Sequence, residues 1–291
     1  MTEKMPQNSS ETGEKITVRD LIELGASKRK EIVAGVQSVS NEINESLKLK
    51  LLADTGSVSR KNYGFSKEEL KVHDDYIDMK DDKFIRNNYD LPADAEISKE
   101  MKMKWEQEQE NRISEIMEMV TMIILHKVLK DEFIICRAAK YDDYHGVDNI
   151  IVHKATGAVL CAFDDVREAG ANTEKTKLDY VKEAASKGGQ KITYGFTTEN
   201  GEIVKKTIFG VPKLCLGFSN ELLAKAIRVV NTKDLNSVSE GEREVYSSII
   251  SSLTGQIPML KELGSQHKTF MHNLETFDGL MPGLESYKLA A

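Results

Sequence analysis

The chain has 291 residues, 40% of them hydrophobic and 30% charged, and a formal net charge of −7. That length points to about two domains with a sizeable core, and the acidic balance argues against strong non-specific nucleic-acid binding while leaving local basic patches open. The three cysteines, Cys136, Cys161 and Cys215, each sit in an apolar run without CxxC or HxxxH spacing, so neither a disulfide framework nor zinc is expected, and reduced thiols in a cytoplasmic protein are.

Residues 1–15, rich in Ser, Glu and Lys and without an apolar signal core, are expected to form a disordered tail. No stretch approaches the roughly eighteen continuous apolar residues of a membrane helix, so no span is expected. Residues 16–95 read as a helical region. Thr17 with Asp20 and Ser66 with Glu69 are capping boxes that open two helices, and "NNYDLPADAE" breaks structure, with a boundary near Pro92.

Residues 96–230 read as an α/β core. It begins with one long helix over 98–129, charged in its first half and apolar in its second. Ile113, Ile116, Met117, Val120, Ile123 and Ile124 recur with a period near 3.6 and predict a face buried against a sheet. Strands follow in "EFIICRAA", "VDNIIV" and "AVLCAF". A helix ends at Gly188 and Gly189, a hairpin turns at "ENG", "KLCLGF" is a further strand, and Ser219 caps a closing helix. The order implies one mixed sheet flanked by helices. Residues 231–291 read as helical, with a capping box at Ser237 and Glu240 and an amphipathic stretch that has Pro258 near its start. The helices at both ends are candidates for binding a protein partner.

The two strands around "HKATG" carry the chemistry. A three-residue loop, Ala155 to Gly157, with Gly157 in the left-handed region, sets Val152 opposite Leu160, Ile150 opposite Ala162 and Asp148 opposite Asp164. Directly opposed residues have Cβ atoms about 4.5–5.5 Å apart, where like charges repel. Two such carboxylates at the rim of a buried sheet call for a proton, a cation or a divalent metal, and Mg²⁺ favours carboxylate and water oxygens. A four-residue loop would shift the pairing by one and separate them. Asp148 and Asp164 pointing into water from the strand ends is the plainer alternative.

"GVD" with Asp148 and "CAFDDV" with Asp164, set in the order helix, three strands, helix, strand, resembles the PD-(D/E)XK nuclease superfamily over residues 98–230. The resemblance implies a restriction-endonuclease-like core and a Mg²⁺ or Mn²⁺ ion held by Asp148, Asp164 and an acid of the first helix, Glu118 or, one turn earlier, Glu115. It implies a metal-dependent phosphodiesterase acting on nucleic acid. The family's motif lysine is Val166 here; a lysine of the following helix, Lys175 or Lys177, is the substitute. A catalytically inactive nuclease-like fold that serves as a binding protein is the alternative, and an unrelated α/β interaction protein the third reading.

Three further features bear on these readings. Arg137, on the preceding strand, would neutralise Asp148 or Asp164 without a metal if it pointed at them. His145, beside Asp143, is a ligand, a general base or a solvated loop residue. Asp142, Asp143 and Glu168 add charge near the rim. Lysines between Lys175 and Lys213 form a basic segment, but acids interleave with them as on a solvated face. P-loop, Gly-x-Ser-x-Gly and HExxH motifs are absent.

Overall fold

The structure is a computed structural model that describes residues 16–110, 112–167, 171–200 and 202–289. In chain order it contains α1 (Val18–Leu47), α2 (Lys67–Asn88), α3 (Lys99–Glu110), α4 (Ile113–Leu129), β1 (Phe133–Arg137), α5 (Lys140–Asp143), β2 (Asn149–His153) and β3 (Val159–Arg167). Then come α6 (Ala171–Ser186), β4 (Gln190–Ile192), β5 (Phe196–Glu199), β6 (Glu202–Lys205), β7 (Ile208–Val211) and β8 (Lys213–Phe218). The chain continues through α7 (Asn220–Val229), α8 (Glu240–Thr254), α9 (Ile257–Gly264) and α10 (Lys268–Leu289). The expected tail, 1–15, lies outside the described residues.

A mixed sheet in the order β1-β2-β3-β8 lies at the centre. β1, β2 and β3 form an antiparallel meander, and β8 runs parallel to β3 after the crossover that contains α6. This is the helix, three-strand, helix, strand order read from the sequence. The single mixed sheet expected there is smaller, because β4–β7 and β5–β6 form two separate two-stranded ribbons.

Two departures in the β2–β3 hairpin cancel. His153 N–H donates to the Ala158 carbonyl at 2.9 Å, so the loop is Lys154 to Gly157, four residues rather than three. Val152 consequently pairs with Val159. A bulge then inserts Leu160, and from Ile151–Cys161 onward the expected register returns, through Ile150–Ala162 and Asn149–Phe163. The bulge keeps Asp148 level with Asp164. Gly157 has φ +68, and a Cβ there would meet the Thr198 carbonyl oxygen at 2.2 Å. Thr197 Oγ1 donates to the Gly157 carbonyl at 2.5 Å and Thr198 Oγ1 to the Lys154 carbonyl at 2.7 Å, so β5 clamps the loop.

α4 is buried from Ile116 to Leu129 and packs on the sheet, as its apolar periodicity predicts. The long helix expected over 98–129 is instead two. Arg112 is extended, with φ −70 and ψ 142, and caps α4. α3 is drawn back onto α2, where Lys102 pairs with Asp82 at 3.0 Å and the Tyr89 hydroxyl donates to Glu108 at 2.7 Å. The capping boxes of Thr17 and Ser66 are present. That of α8 is Ser239 with Glu242 rather than Ser237 with Glu240, because Asp234 accepts the Ser237 hydroxyl at 2.6 Å and holds it outside the helix. Pro258 opens α9, and the amphipathic stretch breaks after Gly264, where Phe270 packs against the glycine.

One contiguous apolar core runs from Leu21 on α1 to Phe277 on α10. A buried ion pair, Lys127 Nζ to Glu242 Oε1 at 2.5 Å, joins α4 to α8. The apolar stripes of the flanking helices are thus buried against the central sheet layer. Among the described residues no helix is long and apolar enough to cross a membrane.

Candidate active site

Strand β2 begins one residue after Asp148, and Asp164 and Asp165 stand side by side within β3. Alternation along a strand sends the latter two to opposite faces. Asp164 meets α6: Lys177 Nζ lies 2.7 Å from each of its carboxylate oxygens. Asp165 turns the other way, accepting from Asn149 Nδ2 at 3.0 Å. Its own backbone N–H donates to Asp148 Oδ2 at 2.6 Å, which fixes the Asp148 carboxyl at the strand opening.

A cavity of about 670 Å³ opens at this end of the sheet. Glu118, Asp148, Asp164 and Lys177 all line it, together with Glu115 and Asp143. Lys175, the other lysine expected from α6, is exposed and does not line it. Arg137 takes neither aspartate. Its guanidinium holds Glu118 by a short hydrogen bond and Glu115 at 2.8 Å, so that Glu118 and Glu115 act together where the sequence offered them as alternatives.

Lys213 was not singled out as a site lysine from sequence. It begins β8, pairs in register with Ala162, and is buried at the cavity wall, where its ammonium donates to the His145 carbonyl at 3.4 Å. Gly146 makes this approach possible: its φ is +76, and a Cβ would stand 2.7 Å from Lys213 Nζ and 3.1 Å from Asp164 Oδ2. His145 also lines the cavity. Its Nδ1 lies 2.7 Å from the Tyr141 carbonyl, so Nδ1 carries a proton and donates it there. Asp142 faces inward to the backbone N–H groups of Thr193 and Tyr194, at 2.8 Å each, and serves the fold. Glu168 lies outside the described residues.

The cluster gathers more acidic than basic groups. Glu115, Glu118, Asp143, Asp148, Asp164 and Asp165 meet Arg137, Lys177 and Lys213. Burial, and then the carboxylates of Glu118, Asp164, Asp143 and Asp165, push Asp148 well above the ordinary range. Burial and then Asp164 do the same to Asp165. Burial likewise pushes the Lys213 ammonium down, against the pull of Asp164. Asp143 keeps part of its surface at the cavity mouth, yet burial, opposed by Arg137, carries it from 3.8 to about 6.

A carboxyl whose folded pKa is raised holds its proton longer in the native state than in the unfolded chain. Asp143 therefore costs no stability below about pH 4, and its cost grows as pH rises through about 6. Chemical denaturation between pH 4 and 7 should show stability falling more steeply in the wild type than in Asp143→Asn. Equal slopes would show that Asp143 titrates normally.

The donor set suits a hard divalent ion in kind, since carboxylate oxygens dominate the cavity floor. Among the described residues, however, no three His, Cys, Asp or Glu side chains are gathered as a metal site. Arg137 draws Glu118 aside, and the Lys177 ammonium sits on both oxygens of Asp164, where a cation's charge is called for. Asp165 Oδ1, Thr121 Oγ1 and Asn149 Oδ1 are buried without a well-formed hydrogen bond on the α4 side of the cluster. Compared with protein-family models, with curated proteins and with solved structures, the chain gives no match.

Proposed function

We propose that the chain is a divalent-metal-dependent phosphodiesterase acting on nucleic acid, of PD-(D/E)XK type. The observation that carries this reading is the meeting of Glu118, Asp148, Asp164 and Lys177 at one cavity with an excess of buried carboxylate. Acids such as Asp148 and Glu118, pushed above their ordinary range by burial and then by neighbouring acids, are poised to exchange protons for a cation. Asp148 and Asp164 would hold Mg²⁺ or Mn²⁺, with Glu118 binding it or orienting a water. Such an ion lowers the pKa of bound water and offsets charge on phosphoryl oxygens.

The remaining roles belong to the chain itself. Lys177 and Lys213 bring two ammonium groups to the cavity, suited to opposing the charge that develops on a phosphate as it is attacked. Arg137 holds Glu118 and Glu115 in place. The three buried free thiols suit a reducing, cytoplasmic setting.

Lys177 competes with the metal for Asp164 and yet assists the chemistry, so its removal has effects of opposite sign. Lys177→Met should bind Mn²⁺ several-fold more tightly and cleave about 10–100-fold more slowly. Calorimetric titration alongside steady-state cleavage reads both; weaker Mn²⁺ binding in Lys177→Met would remove the proposed competition.

The second reading is an inactive nuclease-like fold that binds a partner. It is favoured by Val166 at the motif-lysine position and by the ion pairs that already occupy Glu118 and Asp164. Burial of the α1, α8 and α10 apolar stripes in the core weakens it, since those helices have less apolar surface to offer a protein. Mg²⁺- or Mn²⁺-dependent cleavage of single- and double-stranded DNA and RNA separates the two readings, with Asp148→Ala and Asp164→Ala as controls. Cleavage lost in both variants supports the enzyme, and equal rates in wild type and variants remove it.

A further inference from the structure

Beside the acids, the cavity lining has a second chemistry. α2, α3, the start of α4 and α6 bring it aromatic and basic side chains, Phe84, Trp105, Tyr180, Lys80 and Arg112 among them. Phe84 on α2 and Tyr180 on α6 both line the cavity, and both are largely exposed, at 41% and 53%. Phe84 is propped from behind: its ring stacks on buried Trp105 at 6.3 Å and 16°, and lies 5.8 Å from Tyr144. Arg112 lies 4.2 Å over the Trp105 ring. Lys80 and Arg112 both face the cavity, and among the described residues neither forms an ion pair with a carboxylate.

Exposed aromatic rings on a rigid backing, beside cations that no carboxylate holds in a close ion pair, are what an unstacked base and its flanking phosphates require. Every base has a π-face, so such a platform is tolerant of sequence. A cavity of about 670 Å³ is also of the size that encloses a small-molecule-sized ligand. It accommodates a nucleotide drawn out of a strand, whereas a duplex presents two backbones and bases already stacked inside.

Resting on the phosphodiesterase reading, we propose that the substrate is a single-stranded nucleic acid whose unpaired base stacks on Phe84 and Tyr180. Its neighbouring phosphates pair with Arg112 and Lys80, and the scissile phosphate is delivered to Asp148 and Asp164. The α2–α3 pair, which belongs to no part of the sheet core, is then the element that selects unpaired strands.

The test measures binding and cleavage separately. Fluorescence anisotropy with Ca²⁺ in place of Mg²⁺ compares a labelled single strand, as DNA and as RNA, with the same sequence as a blunt duplex. Cleavage with Mg²⁺ then compares an ordinary strand with one carrying an abasic position. Tyr180→Ala removes an exposed ring and Phe84→Leu keeps an apolar contact with Trp105, so at least the first should fold as the wild type does.

The expected result is a single strand bound at least about tenfold more tightly than the duplex, with each variant weakening single-strand binding roughly 5- to 150-fold. In both variants the preference for the ordinary strand over the abasic one should shrink. Duplex bound as tightly as single strand, or strand binding unchanged in Tyr180→Ala and Phe84→Leu, would overturn the proposal. Ring-dependent strand binding without any cleavage would instead sink the catalytic reading and, with it, delivery of a scissile phosphate, leaving only the base-stacking platform.

Discussion

Asp148→Asn should inactivate the protein and stabilise it at once. The carboxyl is buried and is raised first by burial and then by four neighbouring acids. Its Oδ2 accepts one backbone hydrogen bond, from Asp165. Asparagine keeps an acceptor at that place and the same shape, while removing a charge the cluster disfavours. The apo protein should gain about 0.5–2 kcal/mol, as when charge strain is relieved at a functional site. The sign with pH follows from the raised pKa. Wild-type stability is lost as pH rises through it, so the gap in favour of Asp148→Asn should widen between pH 5 and 8. Metal-dependent cleavage should fall by about 10²-fold or more. Saturating Mg²⁺ should narrow the gap, because an ion that binds only the wild type stabilises only the wild type. Denaturant titrations with and without Mg²⁺ measure all of this; a destabilised Asp148→Asn would show that the carboxylate serves the fold.

Arg137→Met should be among the most destabilising single changes in the chain, at about 3–5 kcal/mol. The guanidinium is buried, holds Glu118 and Glu115, and donates to the Thr55 carbonyl at 3.3 Å. Its backbone also pairs with the segment after α1, through Val58 N–H to the Arg137 carbonyl at 3.0 Å and Arg137 N–H to the Gly56 carbonyl at 3.1 Å. Methionine preserves those backbone bonds and much of the volume, so the measured loss reports the charges left without a partner. The double variant Arg137→Met with Glu118→Gln should recover part of the loss, a coupling that urea denaturation of the four-protein cycle measures. Additive losses would mean that Glu118 does not depend on Arg137.

Much of this site was legible because it rests on local rules. Apolar alternation and the turn glycine placed Asp148 beside Asp164, and the family resemblance pointed to Glu118 or Glu115 on a helix that its apolar period had marked as packed against the sheet. Even so, the register came out right through a loop one residue longer than expected and a bulge at Leu160 that restores the pairing. A bulge leaves no periodic trace, since it interrupts one. Lys177 was reachable as one of two lysines on the helix after β3; which of them turns inward depends on how α6 is rotated over the sheet. Lys213 was not reachable, because the parallel pairing of β3 with β8 sets it beside Ala162, 51 positions away in the chain. The aromatic wall was hidden for the same reason: the α3–α4 break that swings Trp105 onto Phe84 follows from pairings between α2 and α3, not from the composition of either helix.

The central claim is that the carboxylates of β2 and β3 are a seat for a divalent ion, and Mn²⁺ titration followed by electron paramagnetic resonance tests it most directly. One ion bound by the wild type, with affinity weakened tenfold or more in both Asp148→Asn and Asp164→Asn, is the predicted result. Wild-type protein that binds no Mn²⁺, or binds it no better than the two variants, would contradict it.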